Sequence, residues 1–276
     1  MSINYCEKER VFTLQTQNAT YQMIVDSHGY LLHCYYGAKI ERQNLSYCIQ
    51  PQDRGFAANP PDAAGDRTLS PDTLPQEYST FGVGDFRESC LDVRDKNGGV
   101  AADLRYGSYR IYPGKKPLNG LPAAYGNEKD VDTLEIDLRD EVSGLVVTLR
   151  YSVFAQWDVI ARSAEIFNRG TGVLILERAL SCCLDEPVPA SRDILTFYGR
   201  HMGERNLERM PLRHGKFRVD SMRGASSPHY NPFVILCDSA ATETAGNCWA
   251  FSLVYSGNFI AQAEVDQIDT LRFVMG

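Results

Sequence analysis

One run limits the folds open to this chain more than any other: Leu145-Val-Val-Thr-Leu-Arg-Tyr-Ser-Val-Phe154, with Leu145, Val147, Leu149, Tyr151 and Val153 at every second position. A period of two puts those apolar side chains on one face of an extended strand, whereas a helix would scatter them around its axis. The run has many companions. Short apolar or alternating segments recur at Val11 to Leu14, Tyr21 to Val25, Leu31 to Tyr36, Leu134 to Leu138 and Val159 to Asn168. Others are Leu174 to Leu184, Phe233 to Asp238, Cys248 to Tyr255 and Phe259 to Val265. Turn-forming groups punctuate them: Ser27-His28-Gly29, Asn97-Gly98-Gly99, Asn168-Arg169-Gly170 and Ser256-Gly257-Asn258. Helical periodicity is almost absent. Strands at this spacing predict an all-β chain of stacked antiparallel sheets, a large β-sandwich with residues 1–276 as one domain.

Gln50 to Gln76 breaks the pattern, with Pro51, Pro60, Pro61, Pro71 and Pro75 among several Asp, Ala and Gly residues. A stretch of this length without regular structure is functional or disordered in most compact domains. A surface loop with no role is the plainer reading. Tyr112 to Asn127 is a second, shorter irregular stretch.

Catalytic signatures are missing. The five histidines (His28, His33, His201, His214, His229) show neither HxH nor HExxH spacing, so no metal or other cofactor is expected. There is no GxSxG elbow and no GxxxxGK[ST] phosphate loop. Gly82-Val83-Gly84 begins like a GxGxxG turn, but Arg87 stands at its last position. The acidic residues are numerous, and no spacing singles out a pair. A net charge of −7 argues against a nucleic-acid partner, which needs clustered Lys and Arg. No apolar run reaches the length of a spanning helix, and the charged N-terminus shows no export signal. A soluble cytoplasmic protein, with its eight cysteines reduced and packed as small apolar residues, is the expectation. Trp157 and Trp249 fall in strand patterns and are assigned to the core.

Three segments are too particular to be filler: Leu74 to Arg87 (LPQEYSTFGVGDFR), Tyr198 to Arg209 (YGRHMGERNLER) and Arg223 to Phe233 (RGASSPHYNPF). Charge runs are usually solvated faces, yet Arg beside Asp or Glu also forms the bidentate pairs that fix loops and interfaces. With Phe251-Ser-Leu-Val-Tyr-Ser-Gly-Asn-Phe259 and Ala261 to Arg272, these segments resemble the N-terminal domain of glycoside hydrolase family 36. The resemblance covers essentially the whole chain. It implies a galactose-mutarotase-like β-supersandwich, placed ahead of a catalytic (β/α)₈ barrel and a C-terminal β domain, in an α-galactosidase or melibiase. Hydrolysis with retention in that family uses two aspartates on the barrel, about 5 Å apart. No alternating β/α run exists here, so no catalytic residue is assigned to this chain.

The resemblance does imply part of a pocket for α-galactoside oligosaccharides, because similar enzymes are commonly tetramers in which sandwich loops reach a neighbour's barrel. Asp53, on the proline-rich loop, lies where relatives offer an aspartate to the sugar, and a carboxylate accepts hydroxyl protons well. Arg67 shares that loop and would donate to substrate or hold Asp53. The plainer reading of Asp53 is a turn aspartate bonded to its own backbone. His201 occupies a position where many relatives carry a stacking Trp; an imidazole keeps the hydrogen bond but offers less ring area. Either that subsite differs in preference or His201 is a loop residue. Three other readings stay open: action on α-N-acetylgalactosaminides or galactosyl transfer, a stand-alone carbohydrate-binding module, and a structural assembly module without catalysis.

Overall fold

The computed structural model describes residues 2–41, 43–55, 59–63, 65–186, 191–226 and 229–276. Among them the regular elements are strands and three short 3-10 turns, and the ladders within two four-stranded meanders and on both sides of Phe259–Val265 are antiparallel. Among the described residues no helix is long and apolar enough to cross a membrane. The chain divides into two compact units, Met1–Pro117 with Ala124–Pro187, and Leu118–Ala123 with Val188–Gly276.

The first unit begins with a four-stranded meander: β1 (Ile3–Cys6), β2 (Val11–Gln15), β3 (Ala19–Val25) and β4 (Leu31–Ala38). β5 (Leu91–Asp95) follows the proline-rich loop. A second meander comprises β6 (Arg105–Pro113), β7 (Asp132–Asp140), β8 (Leu145–Phe154) and β9 (Val159–Asn168). β10 (Leu174–Ala179) pairs with β5, and β11 (Cys182–Glu186) completes the unit. The alternation of β8 does what its pattern dictates: Leu145, Val147, Leu149, Tyr151 and Val153 are buried. They face the first meander, where Phe12, Leu14 and Met23 are fully enclosed. Each such side chain contributes roughly 1.5–3 kcal/mol by leaving water. Aromatic rings close the gap between sheets, Tyr5 lying 4.3 Å from Phe12 and 4.5 Å from Tyr109 between centroids. This unit is a β-sandwich.

The second unit holds β12 (Arg192–Arg200), β13 (Gly203–Pro211), β14 (Gly215–Ser221), β15 (Phe233–Asp238), β16 (Cys248–Ser252), β17 (Phe259–Val265) and β18 (Leu271–Met275). One sheet runs β13-β12-β15-β16; β17 pairs with β14 on one side and β18 on the other. Phe251 of β16 stacks 4.4 Å from Phe273 of β18.

Two expectations are corrected. Leu174 to Leu184 is two strands, because a break at Leu180-Ser181 interrupts it. Trp157 is outside the core: it lies in a 3-10 turn between β8 and β9 and is 74% exposed. The turn reverses the chain before β9 can pair, so the indole points away from the alternating face. Trp249 does sit in a strand, half-buried, with the Arg192 guanidinium 4.5 Å over its ring.

Candidate functional site: the braced loop between β4 and β5

The loop between β4 and β5 carries two of the residues singled out from sequence, and its rigidity starts at its buried base. Arg87, 6% exposed, donates through Nη2 to the carbonyls of Pro71 (3.1 Å) and Leu74 (2.8 Å). The same guanidinium binds Asp85 through Nε at 3.0 Å and lies 3.5 Å from Asp185. Gln76 adds a side-chain bond to the Pro71 carbonyl (3.1 Å), one to Asp85 (2.8 Å), and its backbone N–H donates to Asp185 (3.0 Å). Prolines supply no N–H, but their own carbonyls and those beside them still need partners once buried, and these two side chains supply them for Pro71 and Leu74.

From this base the bracing continues outward. Asp72, 5% exposed, accepts from Ser70 Oγ (2.7 Å) and from Arg54 Nη2 (3.0 Å). The Arg54 N–H donates to the Arg67 carbonyl at 3.0 Å, which joins the two limbs of the loop. Next to that bond Arg67 Nε donates to Asp53 Oδ1 at 2.8 Å, with the two side chains 65% and 61% exposed. Gly55 lies beneath the guanidinium: a Cβ there would come within 2.6 Å of Arg67 Nη2. Asp53 and Arg67 therefore form a solvent-facing acceptor and donor on a loop fixed from below. Asp53 accepts from the Arg67 side chain.

Glu77 follows this base and is fully buried. It accepts from Tyr21 (2.6 Å), Tyr151 (2.7 Å) and Arg162 (2.7 Å), with His33 Nδ1 at 3.5 Å. Burial by itself pushes its pKa up, but the Arg162 charge and the bonds from His33 and Tyr21 bring it below the ordinary carboxylate value. A carboxylate held in this way is a structural anchor and has no proton to give.

A groove of about 560 Å³ lies on the outer face of β6–β9 and is lined by Arg110, Glu135, Asp137, Arg150, Glu165 and Phe167, among others. Burial raises the Glu135 pKa, while hydrogen bonds from Arg150, Tyr112 and Arg110 outweigh it and leave a value of about 2. Glu135 is thereby held as a carboxylate, with Arg110 and Arg150 paired to it on this strand face. Among the described residues no group of His, Cys, Asp and Glu is arranged to hold a metal ion.

His201 belongs to the second unit, at the tip of the β12–β13 hairpin, and is exposed. The hairpin is tight there. A Cβ on Gly199 would come within 2.6 Å of Glu204 Cα, and Met202 adopts a φ of 59° while its N–H donates to Glu204 Oε1 (2.9 Å). Sequence reasoning reached Asp53 and Arg67 but missed Arg54 and Asp72. Their only signal is charge on a proline-rich loop, and nothing in that pattern says which arginine meets which aspartate.

The glycosyl hydrolase family 36 N-terminal domain model matches residues 29–276. The bifunctional alpha-galactosidase/sucrose kinase AgaSK of Mediterraneibacter gnavus is 48% identical over the whole chain, which covers 29% of that relative. Alpha-galactosidase AgaA of Geobacillus stearothermophilus is 44% identical, again over the whole chain and 38% of its own length. Of the solved structures, the galactosidase domain of alpha-galactosidase-sucrose kinase superposes with a TM-score of 0.96 at 48% identity, over 99% of this chain and 38% of that one. The family 36 alpha-galactosidase AgaB of Geobacillus stearothermophilus gives 0.93 at 43%, over 100% and 37%. A variant of AgaA has been solved in complex with raffinose; it gives 0.91 at 44% identity, over 96% and 37%. The chain thus spans well under half the length of the relatives it matches.

Proposed function

This chain belongs to the family of glycosyl hydrolase family 36 N-terminal domains, and from that premise we propose that it is the front part of an α-galactosidase. In this reading residues 1–276 form the N-terminal β-supersandwich domain of an enzyme that removes terminal α-D-galactose from melibiose- and raffinose-type oligosaccharides with retention. The hydrolytic carboxylates lie in the portion of the relatives that this chain does not span. The protein works in the cytoplasm as a homotetramer, and this domain supplies oligomer contacts and the rim of a pocket. Asp53 accepts from sugar hydroxyls, Arg67 holds or assists it, and His201 contributes a hydrogen-bonding edge from its hairpin.

The observation that carries the reading is the end-to-end match of this chain to α-galactosidases at 48% and 44% identity. The braced, solvent-facing Asp53–Arg67 pair supports the pocket role, because a sugar site needs polar groups fixed before the ligand arrives. Protein expressed from the complete reading frame should release galactose from melibiose and raffinose. It should also cleave the nitrophenyl α-galactoside in preference to the α-N-acetylgalactosaminide. The 276-residue chain alone should do neither. Hydrolysis by that chain alone, or none by the complete protein, would overturn the reading.

A further inference from the structure

Eight cysteines are distributed over the chain, and in the described residues Cys237 and Cys248 are the two that face each other across a ladder. β15 and β16 run antiparallel, with Cys237 opposite Cys248 in register. The hydrogen bonds tell which kind of pair this is. Asp238 N–H donates to the Asn247 carbonyl at 3.1 Å, and Leu253 N–H to the Pro232 carbonyl at 2.9 Å. These two bonded couples, in phase with every second position, leave Cys237–Cys248 at a non-hydrogen-bonded site. There the Cα atoms come closest, about 4.5 Å apart, and both side chains leave the sheet on one face. A disulfide spans Cα separations of about 4.4–6.8 Å, so the backbone need not move for the sulfurs to join.

The two thiols differ in a useful way. Cys237 is 1% exposed, while Cys248 is open to solvent. A dissolved oxidant reaches the second and not the first. The Arg209 guanidinium, fixed by Asp193 at 2.6 Å and by the Ala241 carbonyl at 2.7 Å, lies within electrostatic reach of both. Burial pushes the Cys237 thiol up, and Arg209 offsets part of that.

We infer that Cys237 and Cys248 form a thiol–disulfide exchange site, open to small disulfides such as oxidised glutathione, that closes reversibly into a cross-strand disulfide between β15 and β16. The Cys248 thiolate attacks one sulfur of the small disulfide, breaking its S–S bond and releasing one small thiol, which takes a proton from solvent. Cys237 gives up its proton to solvent and attacks the Cys248 sulfur. The mixed disulfide breaks, the second small thiol leaves, and the Cys237–Cys248 bond remains. Two protein thiols lose two electrons in total, and one small disulfide gains them.

The second step is intramolecular and proceeds at a high effective concentration, so the mixed disulfide should not accumulate. The full chain is incubated with oxidised glutathione and followed by intact and peptide mass spectrometry. A loss of two hydrogens, a cross-linked peptide joining residues 237 and 248, and return of both thiols with dithiothreitol are expected. Cross-link should exceed glutathione adduct by about tenfold or more. In Cys237→Ala the adduct at Cys248 should persist instead, and in Cys248→Ser both products should vanish. Should Cys237→Ala fail to fold, the wild-type cross-link map and Cys248→Ser still decide. A stable adduct on wild-type Cys248, a cross-link elsewhere, or both thiols still open to alkylation would overturn the inference.

Discussion

Arg54 and Arg67 lie on one loop and each holds a carboxylate, but the two pairs have unequal energies. The Arg67–Asp53 pair is exposed, and such a pair is worth roughly 0–1 kcal/mol, so it does not fix the loop. Arg54 meets an aspartate that is 5% exposed, where loss of the partner leaves a desolvated charge behind. If Asp53 accepts from substrate, Asp53→Asn weakens a charge-assisted bond of about 1.5–3 kcal/mol. In the complete enzyme KM should therefore rise by roughly 10- to 100-fold, with the melting temperature unchanged. Arg54→Lys should retain more of the affinity than Arg54→Ala, because Lys keeps the charge that Asp72 needs. Steady-state kinetics beside thermal melts separate these outcomes. Glu135 supports a pH prediction. Its folded pKa of about 2 lies below the ordinary 4.5, so its stabilisation is complete above 4.5 and is lost as pH falls toward 2. Denaturant melts across that window should show a steeper loss of stability for the wild type than for Glu135→Gln.

At the scale of elements, the base of the proline-rich loop makes the difference between a floppy insertion and a platform. Arg87 serves two backbone carbonyls and two aspartates from a buried position. Arg87→Ala should lower stability by about 3–5 kcal/mol and open the loop to protease first. Urea melts and limited proteolysis at residues 50–76 measure both. The strands show why some elements were legible and others were not. β8, β15 and β17 run as the sequence pattern predicts, because part of each leaves water; β9 is also a strand where it was read, though none of its residues is fully buried. β13 was read as a charged segment: Glu204, Arg205, Asn206, Leu207, Glu208 and Arg209 are all exposed in it. A period of two is visible only where one side of the strand leaves water. The hairpin partner β12 holds β13 by backbone bonds, and those leave no trace in side-chain pattern.

The whole chain comprises two compact units and spans less than half the length of each of these relatives. If the proposed tetramer is correct, light scattering on the complete protein should give four times the protomer mass; a monodisperse monomer with full activity would count against it. The sequence by itself determined the all-β class, the ends of β8, β9, β15 and β17, the family, and the loop carrying Asp53 and Arg67. These are properties of local pattern and of particular motifs. Only tertiary structure decided that Arg54 meets Asp72, that Arg87 reaches back to Pro71 and Leu74, that Trp157 stays in solvent and that Cys237 faces Cys248. Each of those contacts joins residues whose separation along the chain carries no periodic signal. Strand register and loop closure bring them within reach.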